Sequence, residues 1–152
     1  MATSAAIAPL PAMPMSKVLT ASWLASIAPI TPAAAAGVLG AVLTARLRTG
    51  NIDIGMAGNG AIAGLVAITA PSGYVELWAA PIIGVVAGVI VVVGVYAIDK
   101  VIDDPVGALS AHGLAGIWGT LSCGLFTAPR LAQYNAFGDP EGGLCIPASS
   151  PS

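Results

Sequence analysis

The chain carries one histidine, His112, and it falls inside a run of residues, 105–129, without a Lys, Arg, Asp or Glu. A neutral imidazole offers one N–H donor and one acceptor nitrogen. That pair suits a small polar molecule able both to give and to take hydrogen bonds. Desolvation disfavours the charged ring, so the neutral form is the expected one at such a position. Helical spacing puts Ala108, Leu109, Ala115 and Gly116 beside it. These residues are small or apolar, so His112 is expected in a dry seam between helices, lining a narrow passage. The alternative is a structural histidine that bonds a carbonyl or hydroxyl on a neighbouring helix. Spacing alone leaves both open.

The other reactive side chains form no catalytic set. Asp103 and Asp104 stand just before the histidine-bearing run, where a carboxylate caps a helix start and suits its dipole. Glu76 lies in a turn and reads as a solvated charge. No Ser-His-Asp arrangement, HExxH or paired carboxylate accompanies His112, so an enzyme is the weakest reading. Cys123 and Cys145 lack metal-ligand spacing. They are expected at different depths, which disfavours a disulfide. The glycine-rich stretch 55–60 matches neither nucleotide-binding pattern, so no cofactor is expected. Trp118 reads as a packing residue.

These groups need elements to carry them, and composition says which. Of 152 residues, 57% are hydrophobic and 8% charged, against about 25% charged in an ordinary soluble domain. Mean hydropathy is +0.90. Such a chain cannot cover a water-facing surface, so lipid is the implied solvent. The net charge of -2 makes no case for nucleic acid. Four windows, 18–45, 54–75, 77–98 and 105–129, are free of charge, and each reaches the roughly 20 residues that cross a bilayer core. Helices are predicted over 23–47, 54–70, 79–98 and 106–126, with Pro29 and Pro32 kinking the start of the first or setting its first turn. The fold class is all-α: a polytopic membrane bundle of about four transmembrane helices. Residues 1–17 read as an irregular leader, 18–129 as the transmembrane region, and 130–152 as a Pro/Gly/Ser-rich extracytoplasmic tail unable to supply another crossing. Arg46, Arg48 and Lys100 fall in the two loops on one side, which places that side in the cytoplasm. Gly60/Gly64 and Gly84/Gly88 are GxxxG pairs, and Gly113, Gly116 and Gly119 recur at three-residue spacing. All are expected at close helix contacts.

Four segments resemble the Amt/Rh ammonium transporter family, on its Amt branch. Residues 59–71 (NGAIAGLVAITAP) are similar to its eighth membrane helix, and 82–88 (IIGVVAG) to its ninth. Residues 103–120 (DDPVGALSAHGLAGIWGT) are similar to its tenth, the DDP-to-HGxxGxWG pattern being the most specific. Residues 33–37 and 46–50 resemble the end of its seventh. The likeness covers about 31–139 and implies a fragment spanning the seventh to tenth helices. It implies a channel-type transporter of ammonium or ammonia in the plasma membrane, a homotrimer with one hydrophobic pore per subunit, and no enzyme activity. His112 matches the second of a pair of pore histidines, and the first is absent. Loops 46–51 and 99–104 would edge a surface for a PII signalling protein. The alternative function is a non-transporting helical module that associates with full-length homologues.

Overall fold

Alanine and glycine fill the interior, and the large aliphatic side chains cover the outside. The computed structural model describes residues 24, 26–102, 104, 106–135 and 142–147. Its helices are α1 (Ile30–Thr49), α2 (Ile54–Thr69) and α3 (Ala79–Ile98), then a π-helical segment (Leu109–Leu114) that runs directly into α4 (Ala115–Phe126), and a short α5 (Pro129–Asn135). A two-residue hairpin follows, β1 (Gly142–Gly143) antiparallel to β2 (Ile146–Pro147), with Gly143 opposite Ile146. The leader 1–17, Trp23 and Asp103 lie outside the described residues.

The buried set is dominated by Ala33, Ala41, Ala45, Ala63, Ala67, Ala79, Ala80, Ala87 and Ala115, with Ile68, Ile83, Val91 and Val92. Leu39, Leu43, Leu47, Ile54, Ile117 and Leu121 are each more than half exposed. Where the surroundings are as apolar as the side chains, nothing drives large residues inward. Small residues then win the interior by letting backbones touch. Helix α1 lies between α2 and α3 by this device. A Cβ added at Gly64 or at Gly84 would overlap the Ala33 carbonyl, and one added at Gly60 or Gly88 would overlap that of Gly37. The two GxxxG pairs therefore close on the same two residues of α1. Of the three-residue glycine series only Gly119 meets another backbone, at Ala67; Gly113 faces its own turn and Gly116 has room beside Val66.

Helix ends follow local chemistry. Pro29 stands at the N-cap of α1 and Pro32 in its first turn, so the helix starts later than the predicted residue 23. Gly50, at φ 77°, ends it. Asp53 caps α2, its Oδ1 accepting from Gly55 N at 2.7 Å and Met56 N at 3.2 Å. Gly73, at φ 85°, makes the turn after Pro71. Helices α1 and α3, of 20 residues each, have the length and hydropathy to cross a bilayer, while α2 has 16 residues, a rise of about 24 Å.

Candidate functional site

Three local devices set up the segment around His112. Asp104 is the first: Oδ1 accepts from Ala108 N at 3.0 Å and Oδ2 from Leu109 N at 3.1 Å. This is the predicted capping role. Gly107 is the second. Its φ of 68° lies in the left-handed region, and a Cβ there would press on Val95 and on the Asn59 amide. The third is Asn59 of α2, whose Nδ2 donates to Val106 O at 3.1 Å. The chain thus enters the helix three residues later than sequence spacing predicts, at Leu109, and its first turns are π-helical. The Ala115 N–H is shared between the carbonyls of Ser110 and His112.

The π-segment and α4 bury Ser110, Ala111, Ala115, Gly119 and Ser122 against the bundle. His112 falls on the other side and is exposed. The expected dry seam is therefore corrected: within these helices the imidazole faces outward, beside exposed Ala108 and Leu109. The reason is geometric. The bundle-facing side of this helix is taken by Ser110, Ala111, Ala115, Gly119 and Ser122, and His112 lies off that set. His112 Nδ1 lies 3.2 Å from Ala108 O. A carbonyl can only accept, so in the neutral tautomer that makes this bond Nδ1 carries the hydrogen and Nε2 is the acceptor. Further along the same outer face stand Ile117, Thr120, Leu121 and Gly124, all exposed. The Thr120 hydroxyl is turned back to Gly116 O.

Trp118 packs on the core and donates Nε1–H to Ile83 O at 3.0 Å, tying α4 to α3. The Ser110 hydroxyl is fully buried beside Gly94 and has no hydrogen-bond partner. The Asn59 tie and the π-turn were missed by sequence reasoning. Their one visible signal was the Asp104–Gly107 stretch, with a helix-breaking proline and a glycine ahead of the helix.

At the opposite end of the bundle Glu76 is not simply solvated. Its Oε1 accepts from Arg130 Nε at 2.8 Å. This hydrogen bond first, and the carboxylate charge second, push the Arg130 guanidinium above the ordinary arginine range. The Ala128 N–H bonds Tyr74 O, and the hairpin segment satisfies the end of α4: Gly143 N bonds Thr127 O, Leu144 N bonds Gly124 O and Cys145 N bonds Leu125 O. Cys123 and Cys145 are free thiols. Cavities of about 210 Å³ (Ile30, Leu65, Ile68, Thr69, Ser72) and about 280 Å³ (Pro81, Ile82, Val85, Val86) lie away from His112.

The outward imidazole, the inside-out packing and the capped π-turn can be set against known proteins. The profile of the Ammonium Transporter Family matches residues 15–145. The chain belongs to this family. The ammonium transporter Amt2 of Archaeoglobus fulgidus is 47% identical over 103 residues, covering 67% of this chain and 22% of that protein. The ammonium transporter of Bacillus subtilis is 38% identical over 108 residues, covering 70% of this chain and 27% of that protein. The crystal structure of Candida albicans Mep2 superposes with a TM-score of 0.71 at 34% identity, covering 78% of this chain and 26% of that one. The chain thus spans about a quarter of the length of the relatives it matches. Family membership makes it an integral membrane protein with a helical bundle fold, which accounts for the small-residue interior and the aliphatic exterior.

Proposed function

We propose that this chain forms part of the wall of an ammonium-conducting channel, with His112 as its pore-lining residue. The observation that carries this reading is the exposed imidazole. Its Nδ1 is held by Ala108, and its Nε2 is left free on a helix face otherwise made of apolar, hydroxyl and glycine residues. Ionisable groups within membrane helices are rare and by default mark functional sites. Further helices packed on this face would turn it into a narrow lumen. In that lumen an acceptor nitrogen can take a hydrogen bond from ammonia or ammonium while the apolar walls exclude water. The chemistry is passage, not turnover.

The resemblance of 59–71, 82–88 and 103–120 supports assigning these helices to the seventh to tenth of the family fold. The missing wall and the first histidine would then come from other helices. On this reading 18–129 is transmembrane, 130–152 is extracytoplasmic and loops 46–51 and 99–104 are cytoplasmic. Arg46, Arg48 and Lys100 support that orientation by the positive-inside rule. The loops are candidate PII contacts, the assembly is a trimer and the membrane is the plasma membrane.

Methylammonium uptake in a transporter-deficient host tests the proposal. Uptake is expected when this chain is co-expressed with the remaining helices of a relative, and loss is expected with His112→Ala. A second reading, a non-transporting module that associates with full-length relatives, is favoured by the outward aliphatic surface. Capture of a full-length relative with no uptake under any co-expression would replace the first reading with the second.

A further inference from the structure

Two polar side chains stand on the outward face of the π-segment and α4. Among the described residues 106–126, the exposed side chains are apolar except those of His112 and Thr120. The serines of this stretch, Ser110 and Ser122, are buried. The outward face of α3 is built differently, from Ile82, Val85, Val89 and Val93, as contact with an apolar surround requires. The Thr120 hydroxyl hydrogen is committed: Oγ1 donates to Gly116 O at 3.1 Å. A hydroxyl has one donor and two lone pairs, so Thr120 has only an acceptor left to offer. That oxygen is open to approach. One turn away on either side stand Gly116 and Gly124. A Cβ added at Gly124 would meet nothing within 4 Å, and one at Gly116 would meet only Val66, at 3.8 Å. Thr120 lies about 12 Å along the helix from His112, toward the end where Glu76 pairs with Arg130.

We propose that Thr120 is a second substrate-contact residue on the face that His112 lines: its Oγ1 accepts a hydrogen bond from ammonium or methylammonium between the Glu76–Arg130 end and the imidazole. The proposal rests on the channel reading above and adds a contact to it. The chemistry is selective. An acceptor without a donor suits a species rich in N–H groups and gives an anion nothing to hold. A polar molecule that sheds water loses free energy unless its hydrogen bonds are replaced. Ile117, Leu121 and Gly124 have no side-chain group to replace them. Ser122 cannot serve either, because its hydroxyl is buried and donates to Gly119 O.

The test uses the full chain co-expressed with the remaining helices of a relative. Thr120→Val keeps the shape of the side chain and removes the acceptor. The KM for methylammonium uptake is expected to rise about 2- to 10-fold, the worth of one hydrogen bond, with a smaller change in maximal rate. Thr120→Ser keeps the acceptor and is expected to restore the parental KM. A parental KM in Thr120→Val, while His112→Ala still abolishes uptake, overturns the proposal and leaves the channel reading intact. A second measurement needs no transport. The chain has two cysteines, so in a Cys123→Ala, Cys145→Ala background Thr120→Cys supplies its only thiol. Aminoethyl methanethiosulfonate, whose head is itself an alkylammonium, is expected to modify that thiol. Ammonium chloride is expected to slow the reaction several-fold relative to sodium chloride at equal strength. A thiol that does not react, or that reacts equally in both salts, overturns the proposal. If the parent assembly takes up nothing, the channel reading falls, and protection at residue 120 by ammonium still decides whether Thr120 meets the ion.

Discussion

Gly84 of α3 approaches the Ala33 carbonyl of α1 so closely that a methyl group on Gly84 has no room. The contact is backbone on backbone, so a larger residue cannot be accommodated by a change of rotamer. Gly84→Ala is expected to destabilise the bundle by about 1–3 kcal/mol. Gly58, on the same bundle, has open space where its Cβ would stand. Gly58→Ala is expected to stabilise by about 0.5–1 kcal/mol through helix propensity alone. Unfolding from mixed micelles compares the two. Equal effects would show that glycine is selected here by something other than helix approach.

The Trp118–Ile83 hydrogen bond joins α4 to α3 across 35 residues of chain. Trp118→Phe keeps most of the ring and removes the donor. A loss of about 1 kcal/mol is expected, with a larger loss for Trp118→Ala because the packing goes too. The same denaturation series measures both. A Phe variant as stable as the parent would reduce Trp118 to a packing residue only.

Asp104 satisfies two N–H groups at the entrance to the π-segment. Asp104→Ala is expected to cost about 1 kcal/mol, the usual worth of an N-cap. Asp104→Asn retains one oxygen acceptor and is expected to cost less. Hydrogen exchange should locate the change at Ala108 and Leu109. Faster exchange across α1 instead would mean the cap is not what Asp104 supplies.

The Glu76–Arg130 pair is largely exposed on the arginine side, so salt screens it. Glu76→Gln is expected to leave unfolding unchanged at physiological salt. The sign of the pH effect follows from the raised guanidinium. A cation whose folded pKa lies above its unfolded one contributes in full below the unfolded value and loses that contribution only as pH rises through the folded one. For Arg130 that window lies above the ordinary arginine range, so no pH dependence from Arg130 is expected between about pH 5 and pH 9. Stability that falls within that interval in the parent but not in Arg130→Gln would contradict this.

Much of the helical framework was legible in the sequence. Predicted helices 54–70 and 79–98 match Ile54–Thr69 and Ala79–Ile98 closely, because charges and turn residues bound them on both sides. Asp104 was legible as a cap for the same local reason. The first helix starts late because Pro29 begins it, and the fourth starts late because Gly107 turns left-handed. The Glu76–Arg130 pair was not legible, since its partners are 54 residues apart and nothing in either neighbourhood names the other.

The sequence by itself determined the solvent, the helices and the presence of one imidazole among them, because charge-free length and small-residue spacing are properties of short segments. It also carried the family likeness in 103–120. Only the tertiary structure decided which way His112 faces. That depends on helix rotation, and the contacts that accompany it lie far apart in the chain: Asn59 Nδ2 bonds Val106 O across 47 residues, and Gly119 rests on Ala67. A one-residue change of register in the π-turn would rotate the ring by about 100° about the helix axis, so no pattern of neighbours along the chain could have specified its side.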